Sequence, residues 1–235
     1  MPGKNLRELG GISLVGFKAI SAQKSKYCSR LIISTDSPEI QEDARRHGVE
    51  VPFTRPAELA SDTAKSEDVI LHAMEWIEKK ENTRYDAIML LEPSAPFARS
   101  SDYDKAVELM MHRKANMVYG MRPVEVPSTL VGKMDEQGCI AEIIEKIQNY
   151  SKSTRRQDLE QEYTMNAALY LFGWDFFKTL MGRDKARKSL DDGQKSTYYG
   201  HKMESEYSVE IDTMNDWHYA EFLVEKGYVD LSFWK

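Results

Sequence analysis

Two cysteines among 235 residues are too few for a disulfide framework, and Cys28 and Cys139 lack any CxxC spacing. Each reads as a buried small apolar group, and a reducing cytoplasm fits. No apolar run approaches the length needed to span a bilayer, and the opening Met-Pro-Gly-Lys-Asn has neither the apolar core nor the cleavage pattern of a signal peptide, so no membrane partner is expected. A basic excess is missing too. Lys and Arg total 32 against 38 Asp and Glu, a net charge of -6, which argues against a nucleic-acid partner and leaves only local cations to hold a small anion. Repeats and low-complexity tracts are absent. The chain does have apolar material, 41% hydrophobic and 10% aromatic, enough for one sizeable core, and residues 1–235 read as a single domain.

Helical and strand patterns alternate through the first half, which predicts an α/β fold with a mostly parallel sheet and flanking helices. Ile12 to Ala22 is an apolar-rich helix candidate. The aliphatic run Arg30-Leu-Ile-Ile-Ser-Thr-Asp36 suits a strand buried on both faces. Ser37 and Pro38 then supply a cap and first turn for a helix that places Ile40, Ala44 and His47 on one face and stops at Gly48. After a polar loop from Thr54 to Thr63, Ile70, Ala73, Met74 and Ile77 form a core stripe at helical spacing. Ala87 to Glu92 reads as the next strand, and Tyr103, Ala106, Val107 and Met110 as the stripe of the next helix. Asn116 to Arg122 is a further strand. Residues 123–163 are charged and irregular, an excursion expected to mediate dimerisation. Ala167 to Phe172 returns as a strand, followed by a short helix around Trp174 to Met181, a polar stretch, and the extended Ser208 to Asp212. A last helix, capped by Thr213 with Asp216 three residues on, buries Trp217, Ala220 and Val224.

Ligands of open α/β sheets bind outside the carboxyl ends of the strands, which singles out Ser34-Thr-Asp36, Glu92-Pro-Ser94 and Glu210-Ile-Asp212. In an extended segment Glu210 and Asp212 project to one side, a geometry that suits one Mg²⁺ together with water and phosphate oxygens. Acids ahead of a helix also satisfy its dipole, so the spacing alone leaves both readings open. Arg55-Pro-Ala-Glu-Leu-Ala-Ser-Asp-Thr-Ala64 is either a receiver for an anion or base edge, or a helix-capping loop with a surface arginine. Lys152, Arg155, Arg156 and Gln157 form a local positive spot, with a solvated face as the alternative.

Taken in order, Pro2-Gly-Lys-Asn5, Ser34-Thr-Asp-Ser37, Arg55-Pro-Ala-Glu-Leu-Ala60 with Ser66, Glu92-Pro-Ser-Ala-Pro96, Arg155-Arg-Gln-Asp-Leu159, Asn166 to Tyr170 and Glu210-Ile-Asp-Thr213 closely resemble the acylneuraminate (CMP-sialic acid) cytidylyltransferase family over nearly the whole chain. The resemblance implies a Rossmann-like nucleotidyltransferase fold in a cytoplasmic homodimer serving cell-surface polysaccharide synthesis. The implied reaction is Mg²⁺-dependent transfer of CMP from CTP to the anomeric hydroxyl of a sialic-acid-like nonulosonic acid, with release of pyrophosphate. It implies nucleotide contacts at Lys4, Asn5, Asp36, Arg55 and Ser66, and a metal pair at Glu210 and Asp212, which with Lys4 form the catalytic group. Sugar-acid contacts fall at Glu92, Ser94, Arg156, Gln157, Asn166 and Tyr170, with Arg156 the partner for the substrate carboxylate.

Departures accompany the resemblance. The family opens with a strand and an Ala-Arg-Gly-Gly-Ser-Lys-Gly type loop. Here Met1 stands where that loop ends, which implies a longer native protein and a short form without a central strand and much of its phosphate site. Glu92 stands where glutamine is common, Ala98 and Thr164 where arginine is, and Ala167 where glycine is, so the acceptor is expected to differ from N-acetylneuraminate. A cytidylyltransferase for the eight-carbon acid 3-deoxy-manno-octulosonate is the nearest alternative, with Arg55 to Ala60 against it. A non-catalytic nucleotide- or sugar-acid-binding remnant is the alternative of a different class.

Overall fold

The computed structural model describes residues 1–61, 63–149, 160–184 and 197–235. Near the N-terminus, Glu8–Leu9 (β1) and Ile12–Ser13 (β2) form a small antiparallel hairpin. Ser13 then caps Leu14–Gln23 (α1) by accepting from the Gly16 amide, and its hydroxyl donates to the Asp43 carboxylate at 2.6 Å. Ser37 and Pro38 begin Pro38–Arg46 (α2) as expected, with Gly48 just beyond its end at φ 72°, a conformation glycine adopts without strain. Ser66–Glu81 (α3) buries the stripe Ile70, Ala73, Met74 and Ile77. Ala87–Leu90 (β3), Ser100–Arg113 (α4) and Met117–Pro123 (β4) follow. Ala141–Asn149 (α5) lies in the excursion, and Tyr163–Gly173 (β5), Trp174–Asp184 (α6), Tyr198–Lys202 (β6) and Met214–Glu225 (α7) complete the fold.

The main sheet has four strands in the order β3-β5-β4-β6. β5 is antiparallel to both β3 and β4, and β6 is parallel to β4, so β3, β4 and β6 run one way and β5 alone opposes them. β5 reverses because it re-enters from the excursion rather than from a crossover helix. Buried side chains lie on both faces. Tyr103, Ala106, Val118, Ala168 and Leu171 cluster on one, while Ile70, Met74, Ile77, Phe172 and Phe177 cluster on the other. Phe17, Phe97, Trp217 and Trp234 anchor a third cluster against α7.

Several expectations are corrected. The run from Arg30 to Asp36 forms no strand beyond one bridge, Ile32 to Glu50, because the segment beside it pairs through Glu50 alone and no longer ladder forms. Ser208 to Asp212 joins no sheet either: a short helical turn covers Glu206–Ser208, and Ile211 donates to the Ser94 carbonyl at 2.7 Å. β6, within the stretch read as polar, is an edge strand on which Tyr198, Gly200 and Lys202 are exposed and Tyr199 and His201 are partly buried. In α7 Leu223 is buried, while Val224 is only partly so. Both cysteines are free, but Cys28 is half-buried and Cys139 exposed, since the excursion carrying Cys139 packs mainly on itself.

Candidate active site

Three chain segments converge where β3 ends. Thr213 caps α7 in a reciprocal box with Asp216, and this fixes the preceding residues as an extended arm. The bond from Ile211 to Ser94 pins that arm to the loop after β3. Glu210 Oε1 accepts from the Ala167 amide at 2.8 Å, which ties the arm to β5. From the other side, the helical turn Lys4–Leu6 brings the Lys4 ammonium to Asp212 Oδ1 at 2.7 Å and to the Ile211 carbonyl at 3.0 Å.

Glu92 sits half-buried among these charges. Burial raises its carboxyl above the usual range and the nearby Glu210 carboxylate raises it further, while Lys18 and Lys4 pull it down. Tyr170, on β5 opposite Leu90, is pushed up to about 12 by burial and then by Glu92 and Glu210, so at neutral pH it is a hydrogen-bond donor. Ser94 is buried at 8% exposure. Asn166 is more deeply buried, at 1%, accepting from the Ala168 amide and lying 3.5 Å from Met203 Sδ, so its carboxamide braces the β5 backbone.

A cavity of about 1160 Å³ adjoins this cluster, and its lining includes Asn5, Asp36, Arg55, Ser66 and Glu92. Arg55 points its Nε at Ser34 Oγ at 3.1 Å and donates to the Ser34 carbonyl, while its own amide is held by the Thr35 carbonyl at 3.0 Å. Burial lowers its pKa and Asp36 opposes the shift. Ser66 is the first residue of α3, whose N-terminus has no side-chain cap and so leaves amide donors for an anion. Asn5, Asp36, Arg55, Ser66 and Glu92 thus line one cavity, and Glu92 joins it to the neighbouring cluster of Lys4, Glu210, Asp212 and Tyr170. Ser94 and Asn166 act on its walls through backbone contacts. Arg156 and Gln157 lie outside the described residues.

Sequence reasoning missed Lys18. Its ammonium is fully buried, donating to the Ala168 carbonyl at 2.9 Å and to Tyr103 Oη at 3.3 Å, and it lines the same cavity. Burial lowers its pKa to about 7, against the attraction of Asp102 and Glu92. The available signal was one lysine inside the apolar run of α1.

An α/β fold with a crevice beyond the end of β3, walled by carboxylates and cations, suits a small anionic ligand such as a nucleotide. The chain belongs to the cytidylyltransferase family, whose profile matches residues 1–228. Over 228 residues it is 28% identical to the CMP-N,N'-diacetyllegionaminic acid synthase of Legionella pneumophila, covering 96% of this chain and 90% of that protein. Over a further 228-residue match it is 26% identical to the pseudaminic acid cytidylyltransferase of Campylobacter jejuni, covering 97% and 92%. The solved structure of a CMP:2-keto-3-deoxy-manno-octonic acid synthetase complexed with CTP superposes with a TM-score of 0.66 at 12% identity, over 97% of this chain and 93% of that one. At that identity the likeness concerns the fold.

Proposed function

We propose that the chain transfers CMP from CTP to the anomeric hydroxyl of a sialic-acid-like nonulosonic acid, releasing pyrophosphate. The observation that carries this reading is the Glu210 and Asp212 arm, with Asp212 held by Lys4, close enough to Glu92 to raise its carboxyl, beside the cavity lined by Glu92, Arg55 and Ser66. The named relatives supply the acceptor class.

The donor set fits Mg²⁺. Two carboxylates on one arm, with the remaining ligands from water and substrate phosphate oxygens, form a set that Mg²⁺ accepts. Glu210 and Asp212 would hold it, and the upward push that both exert on Glu92 marks an excess of negative charge that a cation relieves. When bound, the ion neutralises charge developing on the α-phosphate. Arg55 and the free amides of α3 receive the nucleotide. Lys4 orients Asp212 and adds positive charge near the leaving pyrophosphate. Glu210 is held in place by the Ala167 amide, and protonated Tyr170 donates to the sugar acid. Arg156 and Gln157 are assigned the acceptor carboxylate on sequence grounds.

The same reading makes the protein a homodimer through residues 123–163, where Val126, Val131, Met134, Ile140 and Ile144 stand exposed. Its two free thiols suit the cytoplasm.

The test is pyrophosphate release from CTP and Mg²⁺ with a panel of nonulosonic acids and the eight-carbon acid. We expect turnover with a nine-carbon acid. Glu210→Gln and Asp212→Asn should each lower it roughly 10²- to 10³-fold with little change in Tm. An unaffected rate in both variants defeats the assignment, and release with the eight-carbon acid alone shifts it to the octulosonate enzyme. No release with any acid favours the non-catalytic reading.

A further inference from the structure

β5 does not run straight past its neighbours. Its register with β4 passes from Tyr119 opposite Tyr170 to Met121 opposite Met165, so Gly120 alone stands across from residues 166–169, and β3 pairs with β5 only from Tyr170 to Gly173. Four residues of β5 thus face one of β4, a large bulge beside the carboxylate arm. It lies deep in the protein, with Asn166 at 1% exposure and Ala168 and Leu169 at 0%. Backbone groups that leave a ladder inside the protein need other partners.

Three side chains supply them. Asn166 turns back on its own strand and accepts from the Ala168 amide at 3.0 Å. Room for this exists because residue 120 is glycine, where a β-carbon would lie 2.5 Å from Asn166 Oδ1. Glu210, on the arm before α7, accepts from the Ala167 amide at 2.8 Å. Lys18, from α1, donates to the Ala168 carbonyl at 2.9 Å and to Tyr103 Oη at 3.3 Å. Ala168 is therefore held at both its amide and its carbonyl, and the residue before it presents its amide to Glu210. Lys18 and Glu210 grip adjacent residues of one bulge from two different elements.

A lysine is a costly way to meet one carbonyl, because burial opposes its charge and lowers its pKa to about 7. What it adds is reach, carrying a donor from α1 across the packed layer to the strand. The neutral amine keeps N–H donors, so the bond persists in either charge state.

We infer that Lys18 is a positioning residue for the proposed reaction: it fixes the β5 bulge, and through the Ala167 amide the bulge fixes Glu210. This rests on the role given to Glu210 above, which with Asp212 would hold Mg²⁺. Groups that orient a metal-holding side chain commonly set activity or metal affinity by about 10- to 100-fold. Arg55 and Ser66 receive the nucleotide from segments outside the bulge, so binding of CTP is independent of Lys18.

The test pairs Lys18→Met with Glu210→Gln. Lys18→Met should lower kcat about tenfold and raise the Mg²⁺ concentration for half-maximal activity about tenfold, with KM for CTP within about twofold of wild type. In the Glu210→Gln background the same substitution should change kcat by less than about twofold, because the carboxylate it aims is already gone. Equal proportional losses in the two backgrounds would overturn the inference, since Lys18 would then act on the fold at large. A second readout needs neither substrate nor metal. In Lys18→Met the Ala167 amide should exchange at least about tenfold faster than in wild type, while the amides of Val118 and Leu171, paired in the adjoining ladder, keep their rates. An unchanged Ala167 amide, or equal acceleration of all three, also overturns it. Should Lys18→Met not fold, Lys18→Gln gives the same readings, its amide ending short of the Ala168 carbonyl. Absence of turnover in the wild type counts against the enzyme reading, whereas exchange at Ala167 judges the clamp by itself.

Discussion

Replacing Lys18 by methionine gives a sharp test of how the core handles charge. The fold holds this ammonium at a pKa of about 7, against 10.5 in its ordinary state, with burial the dominant cause. The gap corresponds to about 5 kcal/mol of preference for the neutral amine in the folded state, at about 1.4 kcal/mol per pH unit. Between pH 7 and 10.5 the unfolded chain binds the proton that the folded chain has released, so stability from this residue rises with pH. Below pH 7 both states are protonated and the full penalty is present. Above 10.5 both are neutral and it disappears. The methionine variant carries no such proton, though it leaves the Ala168 carbonyl and the Tyr103 hydroxyl without this donor, a loss of about 1–3 kcal/mol each that does not vary with pH over this window. The quantity to read is therefore the difference in unfolding free energy between wild type and Lys18→Met, from urea titrations between pH 6 and 9.5. It should be flat from pH 6 to just below 7 and then move in favour of the wild type by about 3 kcal/mol up to pH 9.5. A difference constant across the whole range would refute the buried, depressed lysine.

Glu92→Gln should behave in the opposite sense. The fold raises the Glu92 carboxyl, so its ionisation destabilises the folded protein above the ordinary glutamate pKa, and the variant should be the more stable form at pH 8, with its advantage vanishing as the pH falls toward about 4. Millimolar Mg²⁺ should narrow that advantage in thermal melts if the cation sits by Glu210 and Asp212. A methyl group added at Gly120 would lie 2.5 Å from Asn166 Oδ1 and 3.2 Å from Met203 Sδ, so Gly120→Ala should cost about 1–3 kcal/mol in urea denaturation and lower kcat by displacing the brace behind β5. Arg55→Ala should raise KM for CTP roughly tenfold or more with little change in KM for the acceptor, as steady-state kinetics would show.

The sequence made the helices legible where local chemistry fixes them. Ser37 with Pro38, the Ile70 to Ile77 stripe and the Thr213/Asp216 box each formed as their patterns require. Glu92 could also be read, as a polar residue just after a strand end, whereas Asp36 and Glu210 reach the crevice from segments outside the sheet. Tertiary context decided the rest. The aliphatic run at Arg30 to Asp36 has strand composition but finds a partner at only one bridge, and pairing is not encoded in the run itself. β6 alternates exposed and partly buried residues and owes its strand character to β4 alone. Lys18 was overlooked because an apolar helix pattern says nothing about which residue faces a carbonyl 150 positions away.

The position of β5 sets how this pocket can change. Like β4 it is bonded on both sides, and it carries Asn166, Ala167 and Tyr170, which the proposed function sets along the acceptor wall. Its backbone cannot shift without breaking two ladders together, so a relative that adopts a different acid must do so by exchanging side chains on a fixed track. Acceptor preference in such a lineage would then change by discrete single-residue steps, while the track itself would stay in place and exchange its amides slowly.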